Sequence, residues 1–178
     1  MKRILLLLLI IGLGPLIGGL YGIIHDQLTY TISPEYYTKF KFYQFGLMDI
    51  GNEAIFLNPR LEVSAVGFMA TWWMGLPIGL ILGLVGLTIK DNKQMFRITL
   101  KAFVLTTIVA FITGLIGLAY GKFVLADTGV SWWLPENLIN KKNFIAVGSM
   151  HNFSYIGGLT GLIAGIIYII RQRKKLTT

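Results

Sequence analysis

The sequence contains no cysteine and only two histidines, and 13% of its residues are charged. Without cysteine the chain can form no disulfide bond, no thiolate metal site and no cysteine nucleophile. It also lacks an H-E-x-x-H metal motif, a G-x-S-x-G nucleophile turn and a glycine-rich phosphate loop. We therefore expect no nucleotide site. The absence of these motifs favours a non-enzymatic role.

Apolar residues are abundant, because 54% of the 178 residues are hydrophobic and the mean hydropathy is +0.68. A soluble domain of this size has too little interior to bury so much apolar surface. About 20 apolar residues are enough for a helix to cross the hydrocarbon core of a bilayer. Four stretches reach that length, at 4–24, 63–89, 98–120 and 144–170. The sequence therefore predicts an all-α integral membrane protein with four spans.

The first stretch also has features of a secretory signal, since Lys2 and Arg3 precede a run of leucines and isoleucines. The apolar stretch continues past Pro15 to Ile24, however, and lacks a cleavage site of the Ala-x-Ala type. We expect it to be retained as a transmembrane helix.

Basic residues lie between the apolar stretches and form no patch, so the net charge of +8 does not indicate nucleic-acid binding. The positive-inside rule instead predicts cytoplasmic termini and a cytoplasmic linker at 90–97. We expect the bacterial inner (plasma) membrane, with the lipid bilayer as the main partner. The residues on the predicted cytoplasmic side are Lys2, Arg3, Lys90, Lys93, Arg97, Lys101, Arg171, Arg173, Lys174 and Lys175.

The chain also contains an internal similarity, which predicts two tandem helical hairpins. The shared features are LIGxxYG at 16–22 and 115–121, an aspartate eight residues before Pro-Glu at 26–35 and 127–136, AVGxM at 65–69 and 146–150, and glycines four residues apart at 75–83 and 157–165. Residues 1–90 would form one hairpin with an extracytoplasmic loop at about 25–62, and residues 91–178 the other with a loop at about 121–143. The two would make one membrane domain with a pseudo-two-fold axis along the membrane normal. Glycines at this spacing predict close helix packing.

Acidic residues recur at matching positions of the two hairpins, namely Asp26 and Glu35 in the first and Asp127 and Glu136 in the second. The proline before each glutamate can begin a short helix, and the aspartate can close the turn that leaves the membrane. This structural interpretation explains the recurrence. A paired acidic site on the pseudo-axis is the functional alternative.

Both histidines fall at the predicted outer face, at the ends of the first and fourth spans, which can be neighbours in a four-helix bundle. His25 and His151, with Asp26, Glu53 or Asp49, would make a site for zinc, copper or iron, or a proton-transfer pair. The spacing carries no metal signature, so a structural hydrogen-bonding role is the alternative. A haem held by the two histidines is disfavoured because they lie at the ends of the spans.

Aromatic residues and lysines alternate at 36–45 in the first loop. Such a segment can lie in the headgroup layer with its rings facing the membrane and its lysines facing water. It can also fold over the outer end of the bundle as a lid.

The leading hypothesis is a binding or transport protein, acting as a homo-oligomer or as a subunit of a larger membrane complex. Its polar outer end would bind a cation, a small solute or a partner protein. The alternatives are a membrane-embedded enzyme using a divalent metal or a histidine–carboxylate site, and a purely structural accessory subunit. The candidate binding residues are His25, Asp26, Glu53, His151, Asn152 and Tyr155, and the candidate metal ligands are His25, His151 and Asp26.

Overall fold

A computed structural model describes residues 2–49 and 51–176, and within these residues all regular secondary structure is helical. The long helices are α1 (Lys2–Ile32), α4 (Pro59–Gly86), α5 (Asn92–Tyr120) and α7 (Lys141–Lys175). The short helices are α2 (Pro34–Tyr36), α3 (Phe42–Gln44) and α6 (Ala126–Thr128), and π-helical turns lie at Tyr37–Lys41 and Gly121–Leu125.

Four helical segments are long and apolar enough to cross a membrane: Lys2–Ile32, Pro59–Gly86, Asn92–Thr128 and Lys141–Lys175. The all-helical class and the four apolar helices expected from the sequence are thereby confirmed. Large apolar side chains on α1, including Leu8 and Ile24, are more than half exposed. Such a surface is suited to hydrocarbon.

Glycines allow the long helices to approach closely, with α1 packed mainly against α4 and α5 mainly against α7. A Cβ atom added at Gly75 would lie 2.0 Å from the carbonyl oxygen of Gly14, and one at Gly161 would lie 2.7 Å from that of Thr106. Neither position has room for a side chain. The close packing expected from the glycine spacing is therefore confirmed.

One end of the bundle is fixed by the turn between α4 and α5. Asp91 caps α5 by accepting a hydrogen bond from the amide of Gln94 at 2.8 Å. Arg3 donates to the carbonyl oxygens of Leu87 at 2.7 Å and Ile89 at 2.6 Å. The start of α1 and the α4–α5 turn therefore lie at the same end.

Residues 34–45, which we call the lid, fold over the other end. Tyr37 and Phe42 are fully buried, and the hydrophobic cluster that contains them includes Val66 and Phe144. The lid arrangement is the one that the structure adopts, and Lys41 points into the bundle instead of towards water. Interior packing of the aromatic rings decides this outcome.

Helix α1 continues beyond the predicted span end at Ile24, so His25 and Asp26 are helical and do not belong to the loop expected at 25–62. No proline or glycine lies between Ile24 and Pro34. Thr29 also donates to the carbonyl oxygen of His25 at 3.0 Å, which suits a continued helix.

The two Pro-Glu sequences adopt different structures. Pro34 begins α2, as expected, whereas no helix begins at Pro135. Asn137, two residues after Pro135, has φ of 54°, in the left-handed region where a right-handed helix cannot continue.

Glu35 fastens the lid to the start of α7. Its carboxylate accepts hydrogen bonds from Lys39 at 2.8 Å and from the amides of Ile139 at 2.9 Å and Asn140 at 2.8 Å. Desolvation opposes ionisation, but these hydrogen bonds outweigh it and lower the pKa of Glu35 below its ordinary value.

We predict that Gly75→Ala destabilises the protein by about 1–3 kcal/mol, because its methyl group would overlap the backbone of α1. Gly12→Ala is the matched control, since a Cβ atom there meets nothing within 4 Å. Thermal unfolding in detergent, followed by circular dichroism, measures both. Equal stability of the two variants would contradict the close α1–α4 packing.

We predict that acid loosens the lid. Because docking lowers the pKa of Glu35, the undocked state binds the proton more tightly, so the contribution of Glu35 is present at neutral pH. It is lost as the pH falls below the ordinary glutamate value of about 4.3. Amide hydrogen exchange of residues 34–45, corrected for intrinsic rates, should show this loss in the wild type.

In Glu35→Gln the lid should exchange faster already at neutral pH. The matched control is Glu136→Gln, which changes an exposed glutamate at the corresponding repeat position. Wild-type protection in Glu35→Gln at neutral pH would show that the carboxylate does not hold the lid.

Candidate functional site

Asp26 lies at the centre of a buried polar cluster where α1, the lid and α7 meet. Its side chain is 2% exposed, and Lys41 donates to Oδ2 at 2.5 Å. The second oxygen, Oδ1, lies 3.1 Å from His25 Nδ1 and 3.3 Å from His151 Nε2. A side chain from α1, one from the lid and one from α7 therefore lie next to the same carboxylate group.

The π-helical turn Tyr37–Lys41 explains why a lid lysine reaches the interior. A π turn adds a residue to the helical repeat and rotates the side chains that follow it. Tyr37 is held by a 2.6 Å hydrogen bond between its hydroxyl group and Thr29 Oγ1, and Phe42 is fully buried directly after Lys41. The turn is thus fixed on both sides of Lys41.

Burial governs the ionisation of these lid residues. Desolvation lowers the pKa of the Lys41 ammonium from its ordinary value, although the adjacent Asp26 carboxylate opposes the shift. Desolvation and the same carboxylate raise the pKa of Tyr37 well above its ordinary value. Tyr37 therefore stays neutral and acts as a hydrogen-bonding group.

The tautomer of His151 follows from its partners. Nδ1 lies 2.9 Å from the carbonyl oxygen of Val147, which can only accept, so Nδ1 carries the proton. Nε2 of the neutral ring then accepts from Lys41 at 2.9 Å. A protonated His151 would instead donate from Nε2 to Asp26, in place of the bond from Lys41.

His25 connects Asp26 to α7. Its Nδ1 faces the carboxylate and donates to it; in the neutral tautomer with that proton, Nε2 accepts from the hydroxyl group of Ser154 at 3.1 Å. The two imidazole rings are 4.7 Å apart between centroids and nearly perpendicular. The approach of the two histidines expected from the sequence is present.

A cavity of about 70 Å³ lies between the helices, with the cluster at one end. Its polar end includes Tyr21, Ser154 and Tyr155, together with the charged groups of the cluster. Most of its remaining wall is apolar, formed by side chains including Ile17, Met74, Ile78 and Phe103. One water molecule needs about 10–15 Å³ when the volume is measured in the same way, so the cavity is larger than a single water molecule requires.

A groove between α1 and α5 adjoins the cavity, and Ile17, Tyr21 and Thr107 line both. The outer rim of the groove includes Ile24 and Ile112, which are more than half exposed. The cavity therefore lies directly beside an apolar outer surface of the bundle.

The structure brings together His25, Asp26 and His151 among the residues selected from the sequence, and it places Tyr155 at the cavity. Asn152 is exposed, one residue away from the buried face of α7. Glu53 is also exposed, with its Oε1 3.1 Å from Thr38 Oγ1. The functional roles assigned to these residues remain predictions.

The acidic residues of the two repeats occupy unlike environments. Asp26 is buried, whereas Asp127 is 72% exposed and lies 3.8 Å from Lys142. Glu35 binds the start of α7, whereas Glu136 is exposed. The described structure therefore does not bring these four acids into one paired site.

Sequence analysis missed Lys41, Ser154 and Tyr21 as parts of the site. One signal for Ser154 is its position three residues after His151, which puts both on one helix face. For Lys41 the signal is weaker, because only the π turn places it on the buried side.

His25, Asp26 and His151 also have a spacing suited to a metal ion, since one ligand atom from each lies within 4.8 Å of the others. The ammonium of Lys41, however, contacts both Asp26 and His151. The two imidazoles and the carboxylate are suitable ligands for a divalent metal ion. In this structure, however, the Lys41 ammonium provides the positive charge beside them.

Comparison with known proteins finds no family model, no curated protein and no solved structure that matches this chain. Function therefore has to be inferred from the site itself.

We predict that Lys41→Met destabilises the protein by about 3–5 kcal/mol, because it leaves the Asp26 carboxylate buried without its cation. Adding Asp26→Asn should restore much of the loss, since the pair is then neutral. Chemical unfolding in detergent measures both variants against the wild type.

Lys142→Met is the matched control, because it breaks the exposed ion pair of Asp127 at the corresponding repeat position. We expect it to cost at most about 1 kcal/mol. Equal losses for Lys41→Met and Lys142→Met would contradict a buried ion pair.

Proposed function

We propose that the protein is a four-span membrane protein that binds a small amphiphilic molecule in the cavity between its helices. The Asp26–Lys41 cluster would bind the polar headgroup in the cavity, and the apolar chain would lie in the groove between α1 and α5. This role is a more specific form of the binding function expected from the sequence.

The observation that carries the proposal is a buried, hydrogen-bonded ion pair at the end of an otherwise largely apolar cavity. Removing two charges from water costs several kcal/mol per ion, and a hydrophobic replacement is often as stable. Ionisable groups in a membrane-spanning segment generally mark ligand or ion pathways. Stability alone is thus a weak reason for Asp26 and Lys41 to be buried.

The charge balance of the cluster indicates the kind of headgroup. Asp26 and Lys41 neutralise each other, and the hydrogen bonds of the two imidazoles can all be made by neutral rings. A headgroup carrying a full charge would leave a net charge in the interior. We therefore infer an uncharged headgroup with hydroxyl or carbonyl oxygens.

The groove supports entry from the side. The helices are in closest contact within each pair, α1 with α4 and α5 with α7, so the seam between the pairs is the looser part of the bundle. Ile17, Tyr21 and Thr107 lie where the groove meets the cavity. A molecule dissolved in the bilayer could enter there without crossing the lid.

The metal-site alternative is supported by the grouping of His25, Asp26 and His151. We favour amphiphile binding because Lys41 contacts two of the three ligands and a divalent cation would have to displace its ammonium. Stoichiometric metal in the purified wild type, lost in His151→Ala, would reverse this assignment.

For topology, we propose that both termini face the cytoplasm and that the two hairpins are repeats with the same orientation. The basic residues support the first proposal. The like pairing of α1 with α4 and of α5 with α7 supports the second. Association with further copies or with a larger membrane complex also stays a proposal, and no contact within this chain bears on it.

We predict that Gly158→Leu blocks binding, because Gly158 lines the cavity and an added Cβ has only the flexible end of Met74 nearby, at 3.9 Å. The probe is a long-chain monoacylglycerol with a photoreactive diazirine in its chain, added to protein in lipid nanodiscs. Wild-type protein should be labelled in α1 and α5 beside the cavity, and excess unlabelled monoacylglycerol should compete. Gly158→Leu should reduce this labelling at least about tenfold, a loss of about 1.4 kcal/mol in binding.

The matched control is Gly12→Leu, which adds the same side chain at an exposed position with no atom within 4 Å. It should be labelled like the wild type. Labelling spread evenly over exposed apolar surfaces, without competition and equal in all three proteins, would contradict a specific binding cavity.

A further inference from the structure

Ser154, His25 and Asp26 form a continuous hydrogen-bonded series across α7 and α1. The hydroxyl oxygen of Ser154 lies 3.1 Å from His25 Nε2, and His25 Nδ1 lies 3.1 Å from Asp26 Oδ1. Both distances are within the 2.6–3.2 Å expected between a nucleophile, its base and the group that orients the base. Such a series is recognised by geometry and roles, not by sequence order.

The proton positions agree with those roles. The carboxylate accepts from Nδ1–H, so the imidazole presents its unprotonated Nε2 to the serine hydroxyl group. Lys41 binds the other carboxylate oxygen, which keeps Asp26 charged beside the ring. Asp26 is therefore a positioning residue, and His25 can accept the proton of Ser154.

The surroundings of Ser154 leave room for a reacting group. Ser154, His25 and Asp26 all line the cavity. On its other side Ser154 faces Gly114, where an added Cβ would lie 2.3 Å from the serine oxygen. Ser154 therefore lies between the backbone of α5 at Gly114 on one side and the cavity on the other.

Tyr21 places a hydroxyl group beside Ser154 in the same space. Its hydroxyl group is buried and interacts with Ser154, but it makes no hydrogen bond of good geometry to any residue that the structure describes. A buried unpaired hydroxyl group is costly unless a ligand satisfies it. It can donate to the oxygen that becomes negative when a serine attacks a carbonyl group.

A second buried serine on α7 shows that burial alone does not produce this arrangement. Ser149 is 1% exposed, but its hydroxyl group has no hydrogen-bond partner among the described residues and it does not line the cavity. Of these two serines, only Ser154 combines a base with access to the cavity.

We propose that Ser154 is a nucleophile for acyl transfer and that its substrate is an uncharged ester of a long-chain acid. Ser154 Oγ forms a bond to the ester carbonyl carbon while its proton passes to His25 Nε2. The bond from that carbon to the alcohol oxygen then breaks, and His25 returns the proton to the departing alcohol. Water or a second alcohol, deprotonated by His25, releases the acyl group from Ser154 and restores the site.

This inference rests on the proposed function, because the cavity and groove that hold the amphiphile also place its ester at Ser154. It adds a chemical step to binding. An ester has the uncharged, oxygen-bearing headgroup inferred from the charge balance of the cluster.

The test uses the full chain in nanodiscs and a fluorophosphonate with a long alkyl chain. Attack of Ser154 on phosphorus displaces fluoride and leaves a stable adduct, so no natural substrate is needed. We expect one adduct per chain, on the peptide that contains Ser154, as measured by mass spectrometry. Ser154→Ala should abolish it, and His25→Gln should slow it at least about 100-fold.

Ser149→Ala is the matched control and should react at the wild-type rate, and circular dichroism establishes that each variant is folded. No adduct in folded wild-type protein, with either the long-chain probe or a short-chain one, would overturn the inference. Equal reaction in Ser154→Ala would also overturn it. Competed photolabelling without a fluorophosphonate adduct would leave amphiphile binding in place and refute acyl transfer alone.

Discussion

The contact between Lys41 and Asp26 is the constraint on which the rest of the site depends. It joins the lid to α1, neutralises a carboxylate in the interior and leaves the second carboxylate oxygen for His25. The same ammonium group donates a hydrogen bond to His151 and so fixes the orientation of this imidazole ring on α7. Because an unpaired charge at this depth is strongly unfavourable, lid closure and cluster assembly are one event.

Close helix packing acts within each helix pair, and the cavity lies between the pairs. Glycines bring α1 against α4 and α5 against α7, until no side chain fits at contacts such as Gly14 with Gly75. The cavity lies between these two pairs, and Gly14 and Gly75 also form part of its wall. The protein can thus keep rigid hairpins while leaving a seam for a ligand.

The sequence predicted the four apolar helices and the glycine contacts, because span length and residue spacing are properties of each helix alone. It also predicted that His25 and His151 approach each other. It did not place Lys41 in the interior, since that depends on a π turn whose register follows from tertiary packing of Tyr37 and Phe42. Nor did it distinguish buried Asp26 from exposed Asp127, because the local patterns are alike and the burial of Asp26 depends on the lid, which is distant in sequence.

The most direct test of the central claim is a solid-state NMR measurement of the dipolar coupling between the side-chain nitrogen of Lys41 and the carboxyl carbon of Asp26. The protein would be labelled with ¹⁵N-lysine and ¹³C-aspartate in lipid bilayers, and Lys41→Arg would assign the signal. A strong coupling, as expected for atoms in direct contact, is the predicted result. A Lys41 signal without coupling to any aspartate carboxyl carbon would contradict the account.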